Sequence, residues 1–124
     1  IQVEAELCGK PVVSINAMGP KETIIHGETG FLANVADTVM LTEEWVYPHM
    51  GFDEQKKIQF ETPKVFAYRA NVEELGSYLL KLMTDRDLRE KMGKAARTYA
   101  ADRFEYHKTA KHITDLIKER LHLQ

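Results

Sequence analysis

Cysteine is almost absent from this chain: Cys8 is the only one in 124 residues. No internal disulfide can form, and a reducing cytoplasm is the default expectation. No Cys-x-x-Cys exists to begin a zinc site. The histidines, His26, His49, His107, His112 and His122, are scattered. His107 and His112 do not share a helix face, which needs a spacing of three or four. No metal site is expected. Charge of one sign is lacking too: 17 basic against 19 acidic residues give net −2, with no basic stripe. That argues against nucleic acid as the main partner. No apolar run approaches the ~20 residues of a membrane-spanning helix, and there is no internal repeat or low-complexity tract. A start methionine is missing as well. Ile1 to Leu7 reads as helix interior with no Ser, Thr, Asp or Asn cap before it, so the chain is expected to be a fragment that begins inside a natural element.

What is present suits one small folded domain: 44% of the residues are hydrophobic, enough for a modest core in a mixed α/β protein. Ile1 to Cys8 should be helical, with Gly9 as its stop. Pro11 to Asn16, rich in Val and Ile between breakers, suits a buried parallel strand. Gly19-Pro20 breaks the chain, and Lys21 to His26 should form one or two helical turns. Gly27 and Gly30 bracket a sharp turn that uses positive φ values, after which Phe31 to Asn34 forms a short strand with Phe31 inward. Residues 35–64 hold Trp45, Tyr47, Phe52 and Phe60 without a clean period. Thr42-Glu43-Glu44 could open a short helix there that Pro48 stops, and Val65 to Arg69 reads as a further extended piece. Three helices end the chain. Asn71 with Glu74, and then Thr84 with Asp87, give capping-box patterns. Val72, Leu75, Leu79, Leu82 and Met83 mark one apolar face, interrupted by Gly76, which either costs helix stability or allows close packing. Leu88, Met92, Ala95, Ala96 and Tyr99 mark the second helix. Tyr106, Ala110, Ile113, Ile117 and Leu121 form a stripe on a third helix beginning near Glu105, which suggests a helix lying over a larger body.

Two positions could carry chemistry. Glu4 lies one to two turns into a helix. A carboxylate there can accept hydrogen bonds from two adjacent ribose hydroxyls, while the helix N-terminus faces a diphosphate. An ordinary solvated helix glutamate is the alternative. Gly19 follows a buried strand, where the lack of a side chain lets the backbone approach a ligand; an ordinary loop glycine is the alternative. Lys21 is either a phosphate contact or a solvated lysine, and Glu22 should cap or brace the following turn. Asp85 and Asp87 read as caps, and Cys8 as a packed thiol. The aromatic stretch around Trp45 reads as a local extension that packs its own rings, with an acceptor or partner surface as the alternative.

The segment Glu4-Ala5 through Gly9-Lys10-Pro11-Val12-Val13, then Gly19 to Glu22 with Ile24-Ile25, then Gly27-Glu28-Thr29-Gly30-Phe31-Leu32, resembles retaining glycosyltransferases of family 4 with the GT-B fold. A looser likeness runs from Ala70 to about Lys111, through Asp85-x-x-Leu88-Arg89-x-x-Met92-Gly93 and Arg103-Phe104. The middle third matches poorly. The resemblance implies a partial Rossmann-like α/β fold: the C-terminal portion of the donor-binding half over residues 1–124, with few parallel strands, three final helices and an insertion at about 35–64. It implies transfer of a sugar from a nucleotide-sugar donor with retention of configuration, and no obligatory metal or other cofactor. The sugar or lipid-linked acceptor would come from the other half across a cleft. Glu4 matches the family glutamate that holds the donor ribose. Gly19 falls where the family often has two consecutive glycines, and Met18 replaces the first. No catalytic residue is assigned in this segment. The isolated fragment is expected to be inactive, because the family's first glutamate and its donor-phosphate Lys and Arg are missing. Cytoplasmic location is expected, with peripheral membrane attachment of the whole protein left open. A non-catalytic nucleotide-binding or structural α/β module of the same ancestry is the alternative reading.

Overall fold

The computed structural model describes residues 1–122. In chain order the elements are α1 (Gln2–Leu7), β1 (Val12–Ile15), α2 (Met18–Thr23), β2 (Gly30–Ala33), β3 (Val35–Val46), a short 3₁₀ turn (Pro48–Met50), β4 (Lys56–Ala70), α3 (Val72–Thr84), α4 (Arg86–Phe104) and α5 (Tyr106–Leu121). The architecture is mixed α/β: a small parallel sheet of β1 and β2, an antiparallel hairpin of β3 and β4, and three C-terminal helices.

The glycine stop of α1 is as expected. Gly9 adopts φ +69, its N–H donates to the Glu6 carbonyl, and the Lys10 N–H donates to the Ala5 carbonyl. These two bonds form a Schellman motif, which satisfies carbonyls that the helix leaves open. The chain then turns into β1. Val12, Val13, Ser14 and Ile15 pair in parallel register with Gly30, Phe31, Leu32 and Ala33. The Gly27–Gly30 turn uses its two glycines differently. Gly27 takes φ +81 as expected. Gly30 does not; a Cβ there would lie 2.2 Å from the Val12 carbonyl oxygen, so its bare backbone allows β1 and β2 to meet.

The Gly19-Pro20 break does not occur. Both residues lie in the first turn of α2, which starts at Met18. Proline is accommodated in a first helical turn because its missing N–H has no intrahelical partner there. Gly19 is therefore a helical residue, not a loop residue.

Residues 35–64 are likewise reorganised. Thr42, Glu43 and Glu44 belong to β3 and open no helix. Pro48 begins the 3₁₀ turn at the hairpin tip instead of ending a helix. The excursion runs from Val35 to Ala70, past the expected boundary at 64. Cross-strand pairs hold it: Glu43 accepts from the Lys57 ammonium and, at 2.6 Å, from Gln59 Nε2, and Lys57 lies over the Trp45 ring. The hydrogen bonds from Lys57 and then Gln59 hold the Glu43 carboxyl below its ordinary value of 4.5. A carboxylate whose folded pKa is lowered contributes stability above its unfolded pKa and loses it as pH falls through the folded value. The tip pairs should therefore loosen on acidification. The ¹³C shift of the Glu43 carboxyl is expected to titrate below 4.5 and to return toward it in Lys57→Ala; an unshifted midpoint in the parent chain would remove this pairing.

The body's core is Phe31, Leu82 and Met92, flanked by Val13, Tyr78 and Leu88. Asn71 caps α3 by accepting from the Glu74 N–H at 3.1 Å. The reciprocal half of the expected box is absent. The Asn71 N–H goes to the Asn34 carbonyl, and the Glu74 carboxylate instead accepts from the Asn34 N–H (2.7 Å) and Nδ2 (3.2 Å). At the next junction Asp85, not Thr84, is the N-cap, accepting from the Leu88 N–H. Thr84 donates back to the Leu80 carbonyl. Along α3, Leu82 is buried but Val72, Leu79 and Met83 are exposed. Gly76 has open space around its missing side chain, so it serves no close packing. The stripe of α5, with Ile113, Ile117 and Leu121, is uncovered among the described residues.

Candidate functional site

The candidate site is where α1 begins and β1 ends. In a parallel β-α arrangement the carboxyl ends of the strands form the ligand-binding edge. Three contacts define this edge here. Gln2 Nε2 donates to Ser14 Oγ at 3.2 Å, fixing the first turn of α1 beside the last residues of β1. Thr23 Oγ1 donates to Gln2 Oε1 at 3.1 Å, bringing the end of α2 to the same point. The Asn16 N–H donates to the Ala33 carbonyl at 2.7 Å, which carries the pairing of β1 and β2 one residue past the end of β1.

Glu4 projects from the exposed side of α1, with its side chain 76% accessible, so its carboxylate is open to a ligand. Gly19 lies in the first turn of α2, and a Cβ there would touch nothing within 4 Å. Its lack of a side chain is therefore not required by packing. Met18 before it holds φ +50, an uncommon backbone state for a residue with a side chain. The structure thus brings Glu4 and Gly19 to elements that meet through Gln2 and Thr23, without a direct contact between the two.

Other expectations change. The turn after α2 is braced by Thr29 Oγ1, which accepts from the Ile25 N–H at 2.9 Å, and not by Glu22. Lys21 is exposed. Cys8 is an exposed thiol, not a packed one. His26 has a structural role: its Nδ1 accepts from the Leu32 N–H at 3.0 Å, and its ring meets Phe31 and Tyr78 edge-on. Among the described residues no group of three or more His, Cys, Asp or Glu is placed to hold a metal ion, and no helix is long and apolar enough to cross a membrane.

Three residues that shape this edge escape sequence reasoning. Gln2 and Thr23 form the tether, yet neither belongs to a recognisable motif. Asn34 directly follows β2 and is clamped by Glu74 from α3; a polar residue directly after a buried strand was the available signal. Asn34 Oδ1 lies 3.5 Å from Asn16 Nδ2, so the two asparagines close the edge where the strands finish. Comparison of the chain with protein-family models, with curated proteins and with solved structures gave no match in any of the three.

Proposed function

We propose that this chain is part of the donor-binding half of a retaining glycosyltransferase and contributes to holding a nucleotide-sugar. The observation that supports this most is the position of Glu4. It stands on the open side of a helix whose first turn is tied by Gln2 to the carboxyl end of β1. In this reading the Glu4 carboxylate accepts hydrogen bonds from the two ribose hydroxyls. The unobstructed first turn of α2 at Gly19 lets the donor lie against backbone. These residues bind and orient; bond cleavage at the anomeric carbon and the acceptor belong to parts of the enzyme outside this segment. In this reading, as the sequence resemblance implies, the reaction needs no obligatory metal.

Calorimetric titration of the chain with uridine and guanosine diphosphates tests the reading. Saturable heat is expected with one of them. Glu4→Gln, which keeps the size and removes the charge, should weaken binding about tenfold or more, since a hydrogen bond to a charged group is worth roughly 1.5–3 kcal/mol. No saturable heat with either nucleotide, or binding indifferent to Glu4→Gln, would overturn it. A non-catalytic nucleotide module would bind in the same way, and sugar transfer by the complete protein separates the two.

A further inference from the structure

Glu6 is fully buried, with 0% exposure, and neither oxygen of its carboxylate has a hydrogen-bond partner. A buried charge without a partner is strongly disfavoured. Among the described residues the other buried polar side chain, Thr29, is satisfied by the Ile25 N–H, so Glu6 stands apart. Its place follows from how α1 is seated. Gly9, just after α1, packs against α4 so closely that a Cβ on Gly93 would lie 2.1 Å from the Gly9 carbonyl oxygen. Glu6 is the buried residue of α1, and α4 is the element on which α1 mainly rests. There α4 presents Gly93, Ala96 and Ala100, all buried and none with a side-chain donor.

The surrounding elements bring no compensating charge. On α1, the Glu4 side chain faces solvent. β1 holds no ionisable residue, and Lys21 and Glu22 of α2 are exposed. Around Gly93, α4 carries Arg89, Glu90, Lys91, Lys94 and Arg97, and beside Ala100 it carries Tyr99 and Arg103. The Arg89 guanidinium is committed to the carbonyls of Leu82 and Met83, Arg103 donates to the Tyr99 hydroxyl at 2.7 Å, and Glu90, Lys91, Lys94 and Arg97 are exposed. Burial alone pushes the Glu6 carboxyl above its ordinary value of 4.5. The cover is thin, since Leu7 and Cys8 of α1 and Lys94 and Arg97 of α4 face solvent.

We propose that Glu6 is a proton-operated latch: uncharged, its carboxyl is held in the seam between α1 and α4, and on losing its proton to solvent it levers α1 away from α4, carrying Glu4 with it. Only the consequence for nucleotide binding rests on the function proposed above. The carboxyl binds its proton more tightly in the closed seam than in the open one. Closure is therefore favoured fully below the open-form value and is lost as pH rises through the closed-form value. Between the two, each pH unit favours opening by about tenfold.

Amide hydrogen exchange on the full chain without nucleotide tests the latch. The Cys8, Gly9 and Lys10 amides, which donate to the carbonyls of Glu4, Glu6 and Ala5, are followed from pH 4 to 8 and corrected for intrinsic exchange. Their protection should fall by up to about tenfold per pH unit, starting near 4.5. The fall should end at the pH where the Glu6 carboxyl ¹³C shift titrates. In Glu6→Gln their protection should not change with pH. A Glu6 carboxyl that titrates at or below 4.5, or α1 protection independent of pH in the parent chain, would overturn the proposal. If Glu6→Gln does not fold, the two parent-chain measurements decide alone. Absence of nucleotide binding while Glu6 titrates as stated would remove the proposed function and leave the latch standing.

Discussion

Gly93→Ala is expected to destabilise the chain severely, while the same substitution at Gly76 is expected to stabilise it. At Gly93 the new methyl would lie 2.1 Å from the Gly9 carbonyl oxygen and 3.0 Å from its carbon. Both are backbone atoms, fixed by the Schellman turn, so no side chain can move aside. Forcing extra volume into a packed seam costs about 1–3 kcal/mol and sometimes more, and here the relief available is separation of α1 from α4. At Gly76 the methyl meets nothing within 4 Å. Only the helix propensity changes, by about 1 kcal/mol in favour of alanine, or roughly 3–5 °C in the midpoint for a domain of this size. Thermal or urea unfolding of the two variants beside the parent checks both signs. A Gly93→Ala chain as stable as the parent would mean that α1 is not seated on α4 as described.

Phe31→Ala should cost about 3–5 kcal/mol, the usual range for removing a buried aromatic ring. Phe31 is the meeting point of the body. It is buried in β2, stacks on Tyr78 of α3 at 4.7 Å between centroids, and receives the edge of His26. Leu82 and Met92 complete the cluster from α3 and α4. Loss of the ring leaves a cavity that four separate elements would have to collapse to fill. Phe66 of the hairpin provides the contrast: it is 67% exposed, and Phe66→Ala should change stability by no more than about 0.5 kcal/mol. Equal losses from the two substitutions would place the chain's principal core elsewhere.

The legible parts of this fold are those whose cause is local. Gly9 after a short helix, the Val-rich run after Pro11, Asn71 and Asp85 at helix starts, and Phe31 after a glycine turn all carry their explanation within a few residues. The hairpin does not. Its register shifts between Val35 and Asp37, Val39 and Met40, and Leu41 and Glu43. Each shift interrupts the alternation that would mark a strand. Both faces of the ribbon are also largely exposed, so there is little inward set of apolar residues to read. Gly19-Pro20 misleads for a different reason: the pair that ends a helix in its interior is compatible with one in its first turn.

At the candidate site, Glu4 stands out because Ala5, Gly9 and Pro11 follow it. Glu6 does not, although it is the more unusual group. Two residues apart on a helix, the two carboxylates point to nearly opposite sides, so one faces in if the other faces out. Which one is buried depends on where α4 lies, and α4 is more than seventy residues later in the chain. No local pattern encodes that.

The hairpin leaves the body after Asn34 and returns at Asn71, whose N–H donates to the Asn34 carbonyl at 2.8 Å. Its departure and arrival points are therefore neighbours, stitched together by the same asparagine that Glu74 grips. The path from β2 into α3 is consequently blind to how far the ribbon travels in between. Such an appendage can be lengthened, trimmed or rewritten as a cassette without disturbing what lies beneath it. Because its root adjoins Asn16 at the strand ends, changes of that kind would alter the rim of the candidate site while sparing its floor.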